Sequence, residues 1–312
     1  MMRYIFLLGI ALPFLLAIFG CDTADPLPEE PESIIAHWQS RPEFSRDGKK
    51  IVFEGNYDSV SAIHFVDIKG NYIGNLFKQN PDTAYYADFP TWLPDNETIV
   101  LSLNDVLHTI KYTGENFTKL TDSHPGVFMH SSPDGKYIVG ILSVCNPQCG
   151  LALYDFSKDQ SKLIRQYGGT ASWSGDSKNI YFRTNEHKKI AGTDKSEYLG
   201  FVLRRINVYS SQEDSLYFHQ NNTSFINSLA VSPDEKEIVC SVVAGSPPQY
   251  NLWKFIIETR QLIQLTFEGG DEPFYSPDGN LIVYINTKIS EGGVWIMNRD
   301  GSNQHRLTKK NK

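Results

Sequence analysis

At 312 residues the chain is long for one average domain and short for two, and its 40% hydrophobic and 21% charged content is ordinary for a folded soluble core. A formal net charge of −7 with no basic stripe excludes nucleic acid as the main partner, because phosphate binding needs clustered Lys and Arg. Sixteen Tyr, eighteen Phe and five Trp, with Gly and Pro scattered throughout, favour many short strands joined by turns.

The chain opens on "MMRYIFLLGIALPFLLAIFGC". Arg3, an uncharged apolar run and a small residue before Cys21 form a secretory signal over residues 1–20. The run carries Pro13 and is short for a membrane span. Ile18-Phe19-Gly20-Cys21 resembles the lipobox of bacterial lipoproteins, with Phe19 standing where a smaller residue is usual. The resemblance implies lipidation of Cys21 and attachment to a membrane of the bacterial cell envelope. A plain cleaved signal and an uncleaved anchor helix are the competing readings. Residues 21–33, which include "DTADPLPEEPES", are acidic and proline-bearing without apolar periodicity, so a flexible tether is expected there. Asp22 resembles an inner-membrane retention signal, whereas an early acidic stretch resembles a surface-export signal, so the membrane stays open.

From residue 34 the chain repeats itself. The copies are "FSRDGKKIVF", "WLPDNETIVL", "SSPDGKYIVG", "WSGDSKNIYF", "VSPDEKEIVC" and "YSPDGNLIVY", anchored on Asp47, Asp95, Asp134, Asp176, Asp234 and Asp278. The anchors are 48, 39, 42, 58 and 44 residues apart. Four residues after each stands Ile, and the next residue is Val in five copies and Tyr181 in the other. Ser-Pro-Asp-Gly matches the positional preferences of a type I turn. Each copy reads as strand, turn, apolar strand, third strand and a short fourth strand, often closing on Leu-Thr. Adjacent strand residues point to opposite faces, so an Ile-Val pair means a strand buried on both. The expectation is an all-β chain: a six-bladed β-propeller of four-stranded antiparallel blades over 34–310.

These anchors, Ile-Val pairs and Leu-Thr endings resemble the PD40 (WD40-like) repeats of TolB-type propellers. That resemblance implies a stand-alone propeller without the N-terminal α/β domain of TolB and without the hydrolase domain of prolyl-oligopeptidase-type peptidases. It covers nearly all of 34–310 and is specific for fold, weak for function.

No nucleophile elbow, zinc-binding His-Glu-x-x-His or phosphate-cradling glycine loop is present. No catalytic residue, metal ligand or cofactor is therefore assigned. Cys145 and Cys149 in "CNPQC" could close a disulfide across a turn or stand as two thiols. Cys240, inside an apolar strand, reads as a buried apolar residue.

Loops on the face opposite the turns carry the candidate binding residues. The insertion "NEHKKIAGTDKSEYLG" supplies His187, Lys188, Lys189 and Tyr198, and "GSPPQY" supplies Tyr250. Asp88, Asp271 and Glu272 are expected to make the channel mouth acidic, suited to a cation or a basic segment. The expected partner is another envelope protein or a peptide or glycan ligand, bound by a monomer. An enzyme acting on a glycan or peptide, with its site assembled across the channel, is the alternative.

Overall fold

The computed structural model describes residues 39–57, 60–77, 87–121, 126–142, 150–193, 195–221, 223–288 and 292–309. The signal, Cys21, the tether and Cys145 and Cys149 lie outside them. The described residues fall within the compact unit His37–Lys312.

Six four-stranded sheets follow one another along the chain, each built from consecutive strands paired antiparallel. The first strands are Gln39–Phe44, Ala87–Trp92, Val127–Ser131, Gly168–Trp173, Ser224–Val231 and Asp271–Tyr275. Each packs against the first strand of the next blade, the sixth against the first, so they wall a central channel. This is the expected six-bladed propeller.

The Ile-Val pairs explain why the blades associate. All twelve residues are essentially inaccessible. Ile51 packs with Val283, Ile285 and Val294 of blade six, whereas Val52 packs with Trp92, Ile99 and Leu101 of blade two. The pattern repeats around the ring: Ile99 and Val100, Ile138 and Val139, Ile180 and Tyr181, Ile238 and Val239, and Ile282 and Val283 each divide between two successive clusters. Each second strand therefore serves two cores, one per neighbour. Burying one such side chain contributes about 1.5–3 kcal/mol. Cys240 is buried in the cluster between blades four and five, as its strand position led one to expect.

The Ser-Pro-Asp-Gly turns join first and second strands on one face. Ser45, Ser132, Ser174, Ser232 and Ser276 are buried, and each donates its hydroxyl to the Asp two residues on at 2.6–2.7 Å. The last turn residue is left-handed in every copy: Gly48, Gly135 and Gly279, but also Asn96, Ser177 and Glu235. Blade two has Leu93 instead of Ser, and Asp95 there turns to the amide and hydroxyl of Thr98.

Neighbouring turns lie close to one another around the ring. Asp47 N donates to Asn96 Oδ1 at 2.6 Å and Asp134 N to Ser177 Oγ at 3.0 Å. A Cβ added at Gly135 would meet Pro94 at 2.7 Å, and one at Gly175 would meet the Pro233 carbonyl at 2.6 Å. At Gly279 and Gly48 the nearest atoms would be Pro233 and Pro277, at 3.4 and 3.5 Å.

Candidate binding face and channel mouth

The opposite face carries the second-to-third connections and the blade-to-blade links. Near it, most first strands break register, as between Ser40 and Glu43, Asp88 and Thr91, and Asp271 and Phe274. Arg41, Phe89, Phe128 and Glu272, all six residues before their anchors, take left-handed backbone at this point. Such bulges re-aim side chains, and here they gather charged and aromatic groups at the channel mouth.

Arg41 pairs with Glu54, which is 2% exposed, and its guanidinium lies 4.0 Å from the Phe89 ring centroid and 5.1 Å from that of Phe128. One side chain of blade one thus reaches blades two and three. Glu272 accepts the Ser40 hydroxyl at 2.8 and 2.9 Å and the Arg41 amide at 2.6 Å, tying blade six to blade one. Burial raises its carboxyl, with the Arg41 charge opposing. Asp271 accepts from Asn227 at 2.8 Å and from Ser228 at 2.5 Å, tying blade six to blade five. Asp271 and Glu272 thus serve as inter-blade acceptors on first strands, and Arg41 and Arg183 stand beside Glu272 at the mouth. Asp88 lies on the first strand of blade two, and burial pushes its carboxyl up to about 6 while Arg41 pulls it back.

Deeper in the channel, Glu43 is 2% exposed and accepts from Thr91 Oγ1 and Trp92 N, both at 3.0 Å. His130 Nδ1 lies 3.3 Å from Glu43 Oε2. Arg46, standing where most turns have Pro, sends Nη2 to Trp92 O and to both oxygens of Ser131. Glu43 Oε1 thus has two donors, as a buried carboxylate requires, and Oε2 faces His130. His130 and Phe274, ring centroids 5.8 Å apart, border two cavities: about 400 Å³ toward the turns and about 250 Å³ at the open mouth.

The 58-residue interval is not a loose loop. The second strand of blade four runs Asn179–Lys189 and the third Ser196–Asn207, pairing as a lengthened hairpin out to Lys189 and Ser196. His187 faces Tyr198, centroids 5.5 Å apart, and Lys188 and Lys189 are exposed near the tip. Tyr198 donates its hydroxyl to the Ser224 carbonyl at 3.0 Å, seating the hairpin on blade five. Tyr250 lines a separate cleft of about 450 Å³ with Phe267 and Lys288. The eight candidate residues thus form three groups, at the mouth, on the hairpin and beside the Tyr250 cleft.

Sequence reasoning missed Arg41, Phe128 and Arg183, which line the open mouth. They stand six residues before or seven after an anchor, where the six copies share no single residue type, so the repeat carries no signal for them. Among the described residues no group of three or more His, Cys, Asp or Glu is arranged to hold a metal ion.

No protein-family model matches the chain, and no curated protein matches its sequence. Solved structures do match. A TolB structure from Agrobacterium tumefaciens shares 17% identity at a TM-score of 0.58, over 74% of this chain and 82% of that one. TolB from Acinetobacter baumannii shares 19% at 0.57, over 83% of this chain and 65% of its own length. The fold is a TolB-type six-bladed propeller. An oligogalacturonate lyase solved with manganese shares 15% at 0.54, over 85% of this chain and 75% of that one. TolB proteins and a lyase thus share this frame, and at these identities the likeness is one of fold.

Proposed function

We propose that this chain is a membrane-tethered, extracytoplasmic propeller that binds an envelope protein or a peptide or glycan ligand without catalysis. The observation that carries the reading is the asymmetry of the two faces. One is locked by turn-to-turn contacts around the ring. The other holds the varied connections, the channel mouth and the exposed rings of Phe128, Phe225 and Phe267, against Tyr209 on the turn face. Exposed aromatics on a rigid scaffold are the residues that anchor interfaces. The lipobox-like Cys21 and acidic tether supply attachment, and a TolB-type frame supports an envelope setting.

A photo-crosslinking residue at Phe225 or Phe267 of the full-length chain, in native envelopes, is expected to give discrete adducts. The same residue at Lys49, on the turn face, is expected to give none; adducts equal at both faces would sink the reading. In the same preparations Cys21→Ala is expected to move the protein out of the membrane fraction. The second reading, a glycan- or peptide-active enzyme, draws on the likeness to the lyase. Manganese-dependent cleavage of oligogalacturonate by the purified chain would establish it.

A further inference from the structure

Seven residues after each anchor the second strand places Glu54, Ser102, Ile141, Arg183, Ser241 and Ile285. Two of the six are charged, in blades one and four, half a turn of the ring apart. Glu54 is answered by Arg41. Arg183 has no carboxylate within ion-pair distance among the described residues, whereas Arg46, Arg165, Arg204, Arg205 and Arg299 each have one. Arg183 Nη1 donates to Asn185 Oδ1 at 2.8 Å, and its Nε is buried without a hydrogen-bond partner. The guanidinium rests on Gly169, where an added Cβ would come within 3.1 Å of Cζ. Burial lowers its pKa, the signature of a cation withdrawn from water. Arg183 is half-buried, and a half-buried cation with no counter-charge is stabilised by an anion placed beside it.

The cavity that Arg183 lines defines the anion. It is small, about 250 Å³, with Phe128, Ile141, Leu229 and Phe274 on its walls. Its other guanidinium, Arg41, already carries Glu54. Glu272 lies on the blade-six wall, where its carboxylate repels an anion, so an anion is directed to the blade-four side. With Nη1 committed to Asn185 and Nε buried, Arg183 has Nη2 to offer, which suits a singly charged carboxylate better than a phosphate. His130 and Phe274 form the floor, so a peptide enters by its end rather than by passing through.

We infer that the open channel mouth is a carboxylate site built on Arg183, which receives the C-terminal carboxylate of an apolar peptide segment. This deepens the binding reading above and rests on it.

The test is calorimetric titration of the detergent-solubilised full-length chain with acetyl-Ala-Leu-Phe as free acid and as C-terminal amide. The free acid is expected to bind at least about tenfold more tightly than the amide. Arg183→Gln is expected to erase that preference with a melting temperature no lower than the parent's, and Arg183→Lys to keep part of it. Equal binding of acid and amide, or no binding of either at about millimolar concentration, overturns the site. Acetyl-Ala-Asp-Ala-amide binding as tightly as the free acid overturns the assignment to a chain end. Saturable glucuronate binding without peptide binding overturns the assignment to a peptide. If Arg183→Gln fails to fold, the acid–amide comparison on the unaltered chain and on Arg183→Lys still decides. Crosslinks at Phe225 or Phe267 that persist without any acid preference would leave the binding reading standing and remove only this site.

Discussion

Asp88 shows how one residue can carry a cost inside an otherwise matched frame. Its Oδ1 is buried with no hydrogen-bond partner, and burial raises its carboxyl to about 6. The folded chain therefore binds a proton more readily than the unfolded chain, whose Asp titrates near 3.8. Stability falls as pH rises between those two values, and the loss is complete above the folded value. Asp88→Asn should remove this slope. At about pH 7.5 the variant should be more stable by about 1–2 kcal/mol, a figure discounted for partial exposure, and at about pH 4 nearly equal to the parent. Thermal melts at the two pH values check this; the same difference at both would mean that ionisation of Asp88 is not the cause. The turn aspartates are the contrast: the Ser276 hydroxyl beside Asp278 holds that carboxyl below the usual range.

The lengthened hairpin of blade four depends on close backbone approach at its base. Gly200 has φ +144°, and an added Cβ would lie 2.0 Å from the His219 carbonyl of the fourth strand. Gly200→Ala should cost about 2–4 kcal/mol in denaturant unfolding, because backbone rather than a flexible side chain must give way. A variant that unfolds within error of the parent would show that the strands can part there cheaply. Elements were legible in the sequence wherever a residue's neighbours lie in its own blade or act identically in all six. The Ile-Val pairs, the buried turn serines and the left-handed fourth turn position are of that kind. The bulges at Arg41, Phe89, Phe128 and Glu272 were not, because no single residue type marks the site. The mouth was half legible. Asp88, Asp271 and Glu272 are visible in the sequence as acids, but the groups that Glu272 meets lie up to 232 residues away. Reading the interval after Asp176 as a loop missed that extra residues can lengthen two paired strands without breaking their ladder.

Across the whole molecule, ring closure rests on side chains. Gln39 is 6% exposed; its carbonyl oxygen accepts from Val294 N at 2.9 Å and Thr308 Oγ1 at 2.8 Å, and its Nε2 donates to Asn56 O. Glu272 adds its bonds to Ser40 and Arg41. Gln39→Ala should cost about 1–3 kcal/mol. It should speed amide hydrogen exchange in Gln39–Phe44 and Gly293–Asn298 while leaving blades three and four as they were. Uniform acceleration around the ring would show instead that the seam has no separate opening. Every sheet is drawn from one contiguous stretch of chain, so no blade needs a strand borrowed from the far end. The order in which blades are synthesised is therefore separable from the order in which they stand. A circularly permuted gene that begins at Gly270, with residue 309 linked back to Gln39, would keep each sheet whole and each Ile-Val pair between the same two neighbours. In this protein the ring has a start in translation but none in its packing.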